Sequence, residues 1–151
     1  VRPMGSESAP VTIELVTHPI QLSDWADRLD DVDCGAQGWF AGVTRRRTRL
    51  ASGETSITRT LYYEAHESMA AEQLQELARE AKSRYRLAAV VIVHRLGEVP
   101  LGQASVLVGC SSAHRKDVFD ALPWIMDRLK EDVPIWKRET YDDDRSEWVH
   151  P

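Results

Sequence analysis

The run Ala88-Ala89-Val90-Val91-Ile92-Val93-His94 constrains the fold of this chain more than any other segment. Even counted from Leu87 it is far too short to span a bilayer, which takes roughly 20 apolar residues. It is nearly continuous in its apolar character instead of alternating, so it reads as a strand buried on both faces. The clearest helix precedes it: between Ser68 and Tyr85, the residues Ala70, Leu74, Leu77 and Ala81 form one apolar stripe with charges opposite.

Other elements follow from the same kind of pattern. Val11–Val16 alternates enough for a first strand, and Ser23 or Asp24 can cap a short helix whose Leu22, Trp25, Ala26 and Leu29 share a face. Residues 35–43 and 57–65 read as strands that pair across an Arg-rich, mobile loop at 44–55. Glu98–Gln103 holds Pro100 and Gly102 and makes a turn before a strand at Ala104–Gly109. A last helix runs from about His114 to Glu131, with Pro123 inside it expected to kink it or mark its true start. Pro134 then stops it, and Trp136 offers an apolar anchor for the strand that follows. The order of elements predicts an α+β fold: a mainly antiparallel sheet with helices packed on it. No linker separates two domains, so residues 11–151 read as a single domain behind a flexible N-terminal segment, 1–10.

The formal charge of −5 argues against general nucleic-acid affinity. The charge is uneven, however. Residues 41–60 carry five arginines (45, 46, 47, 49 and 59) against Glu54 alone, which suits a local anion site on an acidic protein. Arg45–Arg49 lacks the interleaved aromatics of a single-strand binder; it is a solvated loop or one that closes over an anionic ligand. Cys34 and Cys110 have no metal-ligand spacing and make no disulfide framework, so they read as reduced, packed thiols of a cytoplasmic protein. Val1–Pro10 has no apolar signal core, and no membrane association is expected. His18, His66 and His150 share no ligand spacing, and no P-loop, dinucleotide fingerprint or Gly-x-Ser-x-Gly elbow occurs.

Two segments could carry chemistry. His114-Arg115 opens a helix, where unpaired N–H groups favour anions; alternatively Ser112 or His114 only caps it and Arg115 is solvated. Lys130 ends that helix and Lys137 lies just past the Pro-Ile-Trp turn, so two ammonium groups can be held on adjacent rigid elements. Either lysine could equally be an ordinary surface cation. His94 continues the apolar strand and reads as a satisfied structural histidine.

Taken together, these blocks resemble the large, catalytic subunit of molybdopterin synthase over roughly residues 11–148. The resemblance is carried by Gly35-Ala36 with Phe40-Ala41-Gly42-Val43-Thr44-Arg45, by Tyr63-Glu64-Ala65-His66-Glu67-Ser68-Met69-Ala70, and by His94-Arg95-Leu96-Gly97-Glu98. It continues through Ser112-Ala113-His114-Arg115 with Phe119, Leu129-Lys130, Pro134-Ile135-Trp136-Lys137-Arg138-Glu139 and Trp148. The resemblance implies an α/β-hammerhead-like α+β fold with a small additional α+β subdomain. It also implies a homodimer within a heterotetramer. Each protomer would bind a small ubiquitin-like sulfur-carrier subunit whose Gly-Gly C-terminus bears a thiocarboxylate. The implied substrate is cyclic pyranopterin monophosphate, which two sulfur transfers convert to the dithiolene of molybdopterin. No metal or other cofactor is implied, because the partner supplies activated sulfur.

By position, the resemblance makes Lys130 and Lys137 catalytic and Arg45, His114 and Arg115 substrate-binding. Arg45, His114 and Arg115 would hold the phosphate; Lys130 would lie nearest the carrier's terminal carbonyl, and Lys137 would position substrate or move a proton. Thr44 departs from the valine of many relatives, and three arginines follow it, leaving open whether Arg45, Arg46 or Arg47 meets the ligand. A different class of function, a non-catalytic module for a ubiquitin-like partner or a phosphorylated metabolite, is the alternative.

Overall fold

The computed structural model describes residues 10–149. Its elements are β1 (Val11–Val16), 3₁₀ turns at Leu22–Asp24 and Ala26–Leu29, β2 (Ala36–Val43), β3 (Arg47–Arg49), β4 (Thr55–Ala65) and α1 (Glu67–Tyr85). Then come β5 (Leu87–Arg95), β6 (Gly97–Pro100), β7 (Ala104–Ser112), α2 (Arg115–Asp132), β8 (Ile135–Tyr141) and β9 (Ser146–Val149). The expected flexible segment 1–10 lies outside the described residues except for Pro10, whose carbonyl accepts from the Val90 N–H at 3.2 Å.

The first sheet has the order β1-β5-β7-β2, with β5 inside it. Only β1 and β5 run parallel; the other pairs are antiparallel, as in an α+β fold. One face of β5 sends Val90 and Ile92 into a core with Ala70, Leu74 and Ala81 of α1 and Val118, Ile125 and Leu129 of α2. The other face sends Ala89, Val91 and Val93 toward Val16, Leu29 and Leu107, with Trp25 and Trp39 alongside. Two apolar covers explain why this strand shows no alternation. Helix α1 starts at His66, whose Nδ1 accepts from the Met69 N–H at 3.3 Å, a cap the sequence reading did not foresee.

The second sheet runs β3-β4-β8-β9, with β6 also on β4, and all its pairs are antiparallel. The expected pairing of 35–43 with 57–65 is therefore wrong. β2 pairs with β7, and β4 pairs with β3, β6 and β8. The segment between them is long enough to form its own hairpin, in which the Leu50 N–H donates to the Glu54 carbonyl at 2.8 Å. Closing that short loop costs less chain entropy than joining β2 to β4 across it. The loop at 44–55 thus contains strand β3, and the turn expected at 98–103 overlaps strand β6.

Three smaller expectations also change. The short helix near Trp25 is a pair of 3₁₀ turns without side-chain caps, and Leu22 is exposed while Leu29 is fully buried. Helix α2 runs unbroken through Pro123, which stands on its exposed side. Trp136 points outward from β8 and is 42% exposed, so Ile135 beside it, and not Trp136, anchors that strand in the core.

The two sheets meet where Tyr63 of β4 stands edge-on to His94 of β5, ring centroids 5.0 Å apart. The His94 Nδ1–H donates to the Arg95 carbonyl at 2.9 Å, which leaves Nε2 as an acceptor. Burial lowers the His94 pKa to about 4, against the opposing effect of the Arg95 carbonyl.

Close approach within the first sheet depends on Gly109, where a Cβ would overlap the Trp39 ring on the neighbouring strand. Gly109→Ala is expected to destabilise by about 1–3 kcal/mol, seen as a lower urea midpoint with an unchanged slope. His94 generates a pH prediction. The unfolded chain takes up a proton near pH 6.5 that the folded chain refuses until about pH 4, so stability falls as pH drops through that window. The gap is worth about 3 kcal/mol. The stability difference between wild type and His94→Gln should change by about that amount between pH 7 and 4; a pH-independent difference would contradict it.

Candidate functional site

The junction of the two sheets forms a half-open cavity of ≈ 710 Å³, a size suited to a small-molecule ligand. Three elements bring cations to it. Arg45 comes from the segment after β2, Lys130 from the last turn of α2, and Lys137 from β8. The route from Lys130 to Lys137 is tight. The Val133 N–H closes on the Leu129 carbonyl at 3.2 Å, Pro134 prevents a further turn, and the Ile135 N–H donates to the Val133 carbonyl at 2.8 Å. Strand alternation then places Ile135, Lys137 and Glu139 on the cavity side, with Trp136 and Arg138 on the outer face.

The outer face carries its own stack. The Arg138 guanidinium lies between Tyr62 at 5.1 Å and Trp148 at 5.5 Å, which holds it away from the cavity. Among the three successive arginines, Arg45 lines the cavity, while Arg46 and Arg47 are exposed and not part of its wall.

Polar groups that sequence reasoning missed occupy the cavity wall. Glu139 is 7% exposed, and its Oε1 accepts from the Thr58 hydroxyl and, at 3.4 Å, from Thr48 Oγ1. The Thr48 bond links β3, and with it the Arg-rich segment, to β8 across β4 within the second sheet. Tyr63, His94 and Ser105 also line the cavity. Burial raises the Tyr63 pKa; the Ser105 hydroxyl opposes that shift and the Glu139 carboxylate adds to it. The one signal for these residues was the strand period, which puts Tyr63 on the same face as Leu61 and Glu139 on that of Lys137.

Apolar groups complete the site: Phe40, Val43, Leu61, Met126, Leu129 and Ile135. Phe40 and Val43 are 40% and 58% exposed, and so form an open apolar rim. The arrangement suits an anion that also carries a flat or apolar body. Cationic donors would hold its charge, and neutral His94 and Tyr63 would present hydrogen-bonding groups in a partly dry setting.

His114 and Arg115 are elsewhere. Both are exposed at the N-terminal end of α2, and neither lines the cavity. Fifteen helical rises separate Arg115 from Lys130, about 22 Å along the axis. One copy of the chain therefore does not bring Arg45, His114 and Arg115 around a single phosphate. His114 takes the capping position of α2 without a side-chain bond, while Ser112 Oγ donates to the Arg86 carbonyl at 3.2 Å. No side-chain bond from His114 closes the helix start, where Ser112 Oγ also donates to Asp117 Oδ2 of the first turn at 3.5 Å.

The two cysteines do not enter the site. No disulfide joins them, and burial pushes the Cys110 thiol up to about 12, which leaves it without nucleophilic character. Among the described residues, no cluster of three His, Cys, Asp or Glu side chains could hold a metal ion. No helix among them is long and apolar enough to cross a membrane.

Comparison with known proteins assigns the chain to a family. The sequence profile of the family described as "MoaE protein" matches residues 15–132. A molybdopterin synthase catalytic subunit from Thermoplasma volcanium is 37% identical over 136 residues, covering 90% of this chain and 96% of that protein. Another, from Drosophila melanogaster, is 38% identical over 138 residues; the chain spans only 36% of its length. Among solved structures, molybdopterin synthase from Staphylococcus aureus superposes with a TM-score of 0.81 at 33% identity, covering 90% of this chain and 95% of that one. A profile match over most of its length, together with relatives of this identity, shows that the chain belongs to the MoaE family.

Proposed function

We propose that this chain is the catalytic subunit of a molybdopterin synthase. It would transfer sulfur from the C-terminal thiocarboxylate of a small ubiquitin-like carrier subunit to cyclic pyranopterin monophosphate. The observation that carries this reading is the convergence of Arg45, Lys130 and Lys137 on one cavity from three separate elements. A cyclic phosphate fused to the pyran ring of a tricyclic pyranopterin, whose pterin end is flat, has the shape and charge that this cavity suits. The carrier's Gly-Gly end is thin enough to enter along the apolar rim at Phe40 and Val43. Activated sulfur would arrive on the partner, so the reading needs no resident cofactor.

In this reading Arg45 binds the phosphate and stabilises charge as its ring opens. Lys130 stands nearest the carrier's terminal carbonyl as a general acid or electrostatic stabiliser, and Lys137 positions substrate or moves a proton. His114 and Arg115 can join them only from a second copy of the chain. A two-fold dimer does this symmetrically: each copy lends the start of its α2 to the cavity of the other. The uncapped N–H groups at that helix start add a further attraction for phosphate.

Two experiments test these statements. In single turnover with cyclic pyranopterin monophosphate and thiocarboxylated carrier, wild type should form the dithiolene pterin. Lys130→Ala should lose at least about 100-fold in rate, the scale of a general acid. Near-normal turnover by that variant would remove the role given to Lys130. No product from wild type, despite a demonstrated carrier complex, would favour a binding module. The shared site predicts complementation. His114→Ala and Lys130→Ala chains, each inactive alone, should recover about a quarter of wild-type activity when unfolded and refolded together, because half the dimers then hold one intact site. Recovery no greater than the sum of the separate variants would place His114 outside the cavity's chemistry.

A further inference from the structure

We propose that Arg95 is a positioning residue for Arg45, acting through the Gln103 side chain and the turn that grips Thr44. The inference rests on the reading of Arg45 as the phosphate ligand. Arg95 ends β5 and is 8% exposed. Its Nη1 donates to Gln103 Oε1 at 2.6 Å, and its Nε has no hydrogen-bond partner. A guanidinium buried against a neutral amide is expensive to desolvate, and an apolar side chain would fill such a place at lower cost. Stability alone therefore does not account for it.

The Gln103 end of this bond explains what the guanidinium holds. Pro100–Gln103 is a turn closed by the Gln103 N–H on the Pro100 carbonyl at 3.2 Å, with Gly102 at φ +77°. Thr44 is locked to that turn in both directions. Its N–H donates to the Gln103 carbonyl at 3.0 Å, and its carbonyl accepts from the Gly102 N–H at 2.9 Å. Its hydroxyl reaches the Val99 carbonyl at 3.4 Å, and the residue is 3% exposed.

Just before Thr44, the pairing of β2 with β7 shifts register between Gly42 and Val43, which re-aims the chain. Arg45 is the first residue beyond the clamp. Arg45 lies between that clamp and the Arg46 carbonyl, which accepts from the Thr58 N–H at 2.7 Å, and of the three consecutive arginines it is the one that lines the cavity. Arg95 serves a second wall as well, because its carbonyl takes the His94 Nδ1–H.

The test uses the full chain with Arg95→Met, Gln103→Glu and Arg45→Ala, singly and combined. Arg95→Met should raise KM for the cyclic pterin phosphate about tenfold and also lower kcat, since Arg45 both binds the phosphate and stabilises charge as its ring opens. In the Arg45→Ala background, the same change should alter KM by less than about twofold, since a lost ligand cannot be mispositioned again. Gln103→Glu keeps the acceptor and should keep the wild-type KM. Amide exchange at Thr44 should be at least about tenfold faster in Arg95→Met, with α1 unchanged. Exchange needs no turnover, so an inactive wild type would sink the synthase reading while this measurement still decides the clamp. Unchanged Thr44 exchange, or KM effects that multiply independently with Arg45→Ala, would overturn the proposal. If Arg95→Met fails to fold, Gln103→Met breaks the same bond from the half-buried end and is held to the same outcomes.

Discussion

Burial of β5 on both faces is the constraint on which the other elements depend. Val90 and Ile92 need the two helices on one side, and Val91 and Val93 need the Leu29 and Trp39 cover on the other. Once β5 lies between β1 and β7, its last residues, His94 and Arg95, are carried to the place where the second sheet arrives. There His94 meets Tyr63 edge-on, and Arg95 reaches the turn after β6. The end of the apolar strand is thus the back wall of the cavity.

The second sheet has a different logic. It is assembled around β4, long enough at Thr55–Ala65 to pair with β3 and β6 along one edge and β8 along the other. Its inner face supplies Leu61, Tyr63, Ile135, Lys137 and Glu139 to the cavity, while its outer face carries Tyr62, Trp136, Arg138 and Trp148. Glu139, held by Thr48 and Thr58, joins the Arg-rich hairpin to the strand that bears Lys137. Arg45 and Lys137 therefore rest on elements fixed by buried hydrogen bonds, and Lys130 on a helix held by apolar contacts, which reduces the reorganisation needed on binding an anion.

Much of this was legible in the residues. The apolar stripe of α1, the unbroken apolar run of β5, and the stop at Pro134 each follow from a local pattern with one structural solution. The placement of Lys130 at a helix end and Lys137 on the strand after a short turn was legible for the same reason, but their site roles came from the family resemblance and their shared cavity from the tertiary structure. The pairing of β2 with β7 was not legible, because two strands near in sequence invite a hairpin and only the whole sheet shows that β5 and β7 outbid it. Tyr63, Ser105 and Glu139 were missed because their importance comes from facing a space that no single segment contains. The Pro123 expectation failed because the helix is held by buried contacts on its opposite side, through Val118, Ala121, Ile125 and Leu129.

By itself the sequence determined the α+β class, the principal helices and strands, the acidic surface with its local arginine cluster, and the residue set that resembles one family. These depend on periodicity, turn chemistry and residue identity, all of which are local. Tertiary structure alone decided that Arg45 lines the cavity and its two neighbours do not. It also decided that His114 and Arg115 lie a helix length away from Lys130 in the same copy. Both outcomes depend on long-range hydrogen bonds and rigid element lengths, such as the clamp of Thr44 on the 100–103 turn and the eighteen residues of α2.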